Sequence, residues 1–220
     1  MARADPALHP CGFARWIARG CSLWLAWPAL LLCACAHRQD LSAHVERARA
    51  EIGVPALSIG LVHGEELVAW GASGERAAGT GEAVQLGDKW HIGSNTKAMT
   101  AHLVAILVAE GVLGWETTVA EVFAEQSPAP GWEQVSILDL CRHRSGVTEV
   151  EMRTLQFMSI STESPRALRQ SWVQRIVLPS SPSADKEFHY ANANYMLVGA
   201  MLEQLTDTGW EELIRAKLFE

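Results

Sequence analysis

Apolar residues crowd unevenly along this chain, and the crowded stretches predict its elements. The longest crowd outside the N-terminus spans 98–113, where Ala98, Met99, Ala101, Leu103, Val104, Ala105, Ile106, Leu107, Val108 and Ala109 leave no wide polar face. A helix with that pattern is expected to be buried nearly all round and to run through the middle of a domain. Gly93 allows a sharp backbone approach and Gly111 is a natural stop, so the helix should begin at or just before Ser94. A second apolar helix is predicted from Tyr195 through Met201 and Leu202, ending before Thr208-Gly209.

Two shorter stretches change period. Residues 56–62, Ala-Leu-Ser-Ile-Gly-Leu-Val, read as a strand; 63–66 read as a turn and 67–71 as a returning strand, together a hairpin. Residues 71–87 are rich in Gly and Ala and read as surface loop. Short helical segments are expected at 118–123 and near 165–177, the latter inside a mixed segment, 148–182, long enough to be an insertion bordering a cleft. Residues 37–53 are polar and mixed in charge, and read as tether plus a short helix.

The N-terminus follows a different grammar. Arg15 and Arg19 precede an apolar run from Cys21 to Leu32, and small residues follow it. This is the pattern of a secretory signal, and a run of about a dozen residues is shorter than the roughly 20 needed to span a bilayer. Leu32-Cys33-Ala34-Cys35 resembles the bacterial lipobox, which implies cleavage before Cys35 and lipid attachment to it. The expected organisation is therefore a signal peptide with lipobox at 1–34, a tether at 35–53 and one domain at 54–220. The expected location is the bacterial cell envelope, with a lipid anchor in the membrane.

Charge and cysteine usage narrow the function classes. The formal net charge is −7, which makes nucleic acid an unsuitable partner. Of five cysteines, three precede the lipobox cysteine, and a lipidated Cys35 would leave Cys141 without a partner, so no disulfide framework is expected. Cys141 and His143 are too few for a metal site, and no second pair lies at ligand spacing. Neither metal nor cofactor is expected.

The chemistry centres on Ser94. With Lys97 three residues on, both side chains share one helix face. A serine hydroxyl needs a base within hydrogen-bond reach, and a lysine whose amine pKa is depressed by burial or positive charge can supply it. The N-terminal N–H groups of the same helix are candidate oxyanion donors. The competing reading of Ser94 is a plain N-cap, a position serine favours. About 0.3 Ser-x-x-Lys matches are expected by chance, and the chain has two; the other, Ser183 to Lys186, follows a Pro- and Ser-rich loop and has no apolar helix behind it. Tyr190-x-Asn192 is the second motif, for which chance gives about 0.03 matches. A phenol beside a lysine can relay a proton, and an asparagine amide can donate and accept at a substrate amide.

Ser94-x-x-Lys97, then His143-Arg144-Ser145-Gly146, then Tyr190-x-Asn192, in this order, resemble the class C β-lactamase, DD-peptidase and serine esterase family over about 54–220. The resemblance implies an α+β fold, with a helical region packed beside an antiparallel sheet. It also implies Ser94 as acylated nucleophile, Lys97 and Tyr190 in proton transfer, and Asn192 contacting substrate. The implied substrate is a β-lactam, a peptidoglycan-like D-alanyl peptide or a small ester. The family's third motif, Lys-Thr-Gly or His-x-Gly on a strand after Asn192, does not occur within these residues; His91-Ile92-Gly93 fits it only in letters. An incomplete sheet and impaired turnover are the corresponding expectations. Two classes of function follow: a serine acyl hydrolase, or a non-catalytic envelope lipoprotein that keeps part of the cleft for binding.

Overall fold

The computed structural model describes residues 39–85, 87–147 and 163–220. The expected signal peptide and lipobox with Cys35, and residues 148–162 of the expected insertion, lie outside the described residues. The fold is α+β, and the chain divides between Lys89 and Trp90 into two compact units.

The first unit is built on the expected hairpin. Strands β2 (Ala56–His63) and β3 (Glu66–Gly74) pair antiparallel from Ala56↔Gly74 to His63↔Glu66, with a register shift between Leu61 and Val62. Gly64 turns the hairpin at φ +61°, where a side chain would be strained. A two-residue strand, β1 (Gln39–Asp40), joins the other side of β3 in parallel, so the sheet order is β1-β3-β2 and not purely antiparallel. Helix α1 (Ser42–Ile52) packs on β3. Gly71 makes the close approach possible, since a Cβ there would lie 2.6 Å from the carbonyl carbon of Leu41 and 2.9 Å from the Val45 side chain.

That packing corrects the expectation for 35–53. The short helix is present, but it is docked instead of trailing as tether: Val45 is buried, Leu41 N–H donates to the Trp70 carbonyl at 2.7 Å, and Ser73 donates to Glu46. Val45 opposite Gly71, together with these two hydrogen bonds, docks a helix whose composition is mostly polar. The loop after β3 is also less free than its Gly and Ala content implied. It closes through a Glu75↔Ala83 bridge, and Arg76 holds Asp88 at 2.7 and 2.9 Å and Glu82.

The second unit is helical. Its elements are α2 (Asn95–Ala109), α3 (Val119–Val122), α4 (Ile137–Cys141), α5 (Pro165–Trp172), α6 (Asn192–Thr206) and α7 (Trp210–Ile214). Helix α5 continues into a π-helical turn at Val173–Val177. Short helices that lack length for intrinsic stability are fixed by their ends. Thr118 and Glu121 form a capping box on α3, Ser136 and Asp139 another on α4, and Ser164 caps α5 ahead of Pro165.

The helix that runs through the middle is α6, not α2. Residues 197–203 of α6 are buried without interruption. On α2 only Thr100, Leu103, Val104 and Leu107 are buried, an i, i+3, i+4, i+7 stripe, while Ala98, His102, Ala105 and Ala109 are exposed. Three of these four exposed positions are alanine, which suits a helix surface as well as a core. The stripe packs into a core with Phe123, Trp132, Ile137, Leu140 and Trp172. Among the described residues no helix is long and apolar enough to cross a membrane.

Candidate active site

The four predicted catalytic and substrate-binding residues, Ser94, Lys97, Tyr190 and Asn192, lie in the second unit, at the N-terminal ends of α2 and α6. Gly93, at φ +53°, delivers the chain into α2, and Ser94 takes the N-cap position with a helical backbone. Its hydroxyl does not cap the helix, which removes the bland reading of this serine. Ser94 Oγ instead lies 2.6 Å from the Tyr190 hydroxyl and accepts from Lys97 Nζ at 3.1 Å. One helical turn brings the lysine onto the serine. Lys97 Nζ also donates to Asn192 Oδ1 at 2.6 Å and sits 4.8 Å from the centre of the Tyr190 ring.

The second pair comes from the start of α6. Ala191, in extended backbone, is the cap position, so Tyr190 precedes the helix and Asn192 is its first residue. Tyr190 and Asn192 therefore point onto one neighbourhood from either side of a single buried residue. Tyr190 is 47% exposed and Ser94 is also exposed, so a substrate carbonyl has access to the hydroxyl. A cavity of about 240 Å³ adjoins Lys97 and Asn192, lined also by Gly93, Tyr195, Arg169 and Trp210.

Underneath lies a buried polar network that the spacing of motifs did not reveal. His143 Nδ1 accepts from Ala191 N–H at 3.3 Å and lies 3.1 Å from Asn194 Nδ2; Asn194 Oδ1 accepts from Ser145 Oγ at 2.6 Å, and Ser145 Oγ accepts from Val147 N–H at 3.1 Å. Ser145 and Asn194 are 1% and 0% exposed, so each needs the partners it has. Gly146 completes the segment, because a Cβ there would lie 2.1 Å from the Ser183 carbonyl oxygen. The His143-Arg144-Ser145-Gly146 segment was legible, but Asn194 was not singled out. Its signal was a polar side chain at the start of an apolar helix.

The amides of Asn95, Thr96 and Lys97 donate to the carbonyls of Ile92, Gly93 and Ser94 at 3.1–3.2 Å, so these three are not spare oxyanion donors. Ser183 and Lys186 do not form a pair: Lys186 Nζ donates to Asp139 at 2.8 Å and to the Gln134 carbonyl at 2.6 Å. Burial pushes the Cys141 thiol up to about 11, away from the thiolate a metal would need. No cluster of three metal-ligating side chains exists among the described residues.

The chain and its fold are similar to those of known proteins. The chain is 29% identical over 150 residues to penicillin-binding protein 4 of Amycolatopsis lactamdurans, covering 67% of this chain and 38% of that relative. Its fold is similar to the octameric penicillin-binding protein homologue of Pyrococcus abyssi, with a TM-score of 0.60 at 23% identity over 80% of this chain and 41% of the other. It is similar also to the D-amino acid amidase of Ochrobactrum anthropi SV3 in complex with L-phenylalanine amide, with a TM-score of 0.62 at 21% identity over 80% and 47%. The chain thus spans less than half the length of these relatives. The β-lactamase family matches residues 41–220, from the start of α1 to the last residue, and the chain belongs to that family of serine hydrolases.

Proposed function

We propose that the chain carries the acylation centre of a serine acyl hydrolase acting on a β-lactam, a D-alanyl peptide or a small ester. The observation that carries the reading is the shared position of Ser94 Oγ, 2.6 Å from the Tyr190 hydroxyl and 3.1 Å from Lys97 Nζ. Ser94 attacks the substrate carbonyl carbon, its proton passing to the Tyr190 and Lys97 pair. That pair returns the proton to the departing nitrogen or oxygen as the acyl bond breaks, leaving an acyl-serine that water later cleaves. Asn192 is placed to bind a substrate amide while its Oδ1 orients the lysine.

The test is labelling of the full chain with a fluorescent penicillin and, separately, a phosphonate ester. The adduct is expected on Ser94, and Ser94→Ala should abolish it. Reversible binding without any adduct would instead favour a ligand-binding lipoprotein, and an adduct on Ser183 would overturn the assignment.

The lipobox-like Leu32 to Cys35 supports a lipid anchor at Cys35 and an envelope location. Radiolabelled fatty acid should enter the wild type; equal entry into Cys35→Ala would remove this idea.

A further inference from the structure

We propose that His143 is a positioning residue that holds Tyr190 against Ser94, with an unprotonated Nδ1 acting as hydrogen-bond acceptor. This inference rests on the acylation reading above. His143 grips the chain on both sides of Tyr190. Its own carbonyl accepts the N–H of His189 at 2.8 Å, and its ring Nδ1 accepts the N–H of Ala191 at 3.3 Å. Between these two bonds the Tyr190 ring lies against the imidazole, centroids 4.5 Å apart and planes inclined by 31°. The tilted ring contact and the two flanking bonds leave the phenol little freedom to turn from Ser94.

The direction of the network assigns the tautomer. A backbone N–H only donates, so the Nδ1 facing Ala191 is an acceptor and the ring proton belongs on Nε2. Val147 N–H occupies Ser145 Oγ, so the serine proton goes to Asn194 Oδ1, which turns the Asn194 NH₂ toward His143. Each member fixes the next, and a protonated Nδ1 would face donors from two sides. The backbone of His143 sits at φ +58°, a conformation that few side chains other than Asn and His adopt readily. Holding a reacting group in place matters because a misplacement of about 1 Å can cost about a hundredfold in rate.

Two variants separate positioning from bulk. His143→Asn tolerates the backbone and offers an amide oxygen near the place of Nδ1, whereas His143→Leu keeps bulk and loses the acceptor. At saturating fluorescent penicillin the Leu variant should acylate about tenfold more slowly or worse, with half-saturation little changed, and the Asn variant should stay within about threefold of wild type. Equal slowing of both variants, in step with their loss of thermal stability, would make His143 a structural residue only and overturn the proposal. A second readout needs no reaction: the phenol titration of Tyr190, identified by its loss in Tyr190→Phe, should shift in the Leu variant and not in the Asn variant. If the wild type forms no adduct, the acylation reading fails and the phenol titration alone decides the role of His143. Should the Leu variant not fold, nitrogen NMR of the wild-type imidazole decides, and a proton on Nδ1 would overturn the proposal.

Discussion

Residue by residue, the site depends on groups that are held in one protonation state by their surroundings. Burial, and after it the positive charge of Lys97, hold the His143 imidazole below its ordinary 6.5. The folded state therefore binds fewer protons than the unfolded chain as acid is added. The stability this contributes is complete above pH 6.5 and is lost as the pH falls toward the lowered folded value. Burial alone would raise the Asp139 carboxyl, but the Lys186 ammonium and the Ser136 N–H and hydroxyl outweigh it and hold the group below 3.8. Its contribution is lost in a separate, more acidic step. Thermal unfolding followed from neutral pH downward should show two declines, and His143→Asn should remove the first. An unchanged melting temperature between about pH 7 and pH 5 would contradict the assignment of a neutral, buried imidazole.

Within the second unit, elements are joined to one another chiefly at α6. Glu203, fully buried on that helix, accepts from Arg169 of α5 at 2.6 and 3.1 Å, from Gln170 of α5 at 3.3 Å and from the N–H of Trp210, which opens α7, at 3.0 Å. Arg169 reaches Glu211 as well, at 2.8 and 3.0 Å. One carboxylate thus ties three helices, and the same arginine lines the cavity beside Lys97. Removing one partner of a buried ion pair leaves the other charge without compensation, which typically costs about 3–5 kcal/mol. Glu203→Gln should destabilise the chain by about 3 kcal/mol in urea unfolding, since the amide keeps some hydrogen bonds but loses the charge. A loss below about 1 kcal/mol would show that Arg169 is adequately compensated by Glu211 alone.

At the scale of the whole molecule, each unit has its own organising contact. In the first unit Gly71 lets α1 lie directly on β3, and Ala69 and Val45 fill the contact. On the far side of β3, β2 presents Ile59, Leu61 and Val62, each more than half exposed. In the second unit the site is assembled where the N-terminal ends of α2 and α6 converge, with α4 leading into the His143 segment beneath. The match to the β-lactamase family runs through both units.

The sequence by itself determined the hairpin, both apolar helices and the two motifs, because each is written in local period and spacing. Ser94 and Lys97 meet through one helical turn, and Tyr190 and Asn192 flank one buried residue; neither pair needs distant information. Burial was a different matter. Ten apolar residues on α2 read as a fully buried helix, yet three of its four alanines face water, and it is α6 whose residues 197–203 are all buried. Only the tertiary structure showed that polar α1 docks, through a glycine on the opposing strand. Only it could bring Asn194 to His143, and Glu203 to Arg169, across 51 and 34 residues of chain. Such pairings carry no local signal, since a buried polar side chain finds its partner wherever the packing of the helices happens to bring one within hydrogen-bond reach.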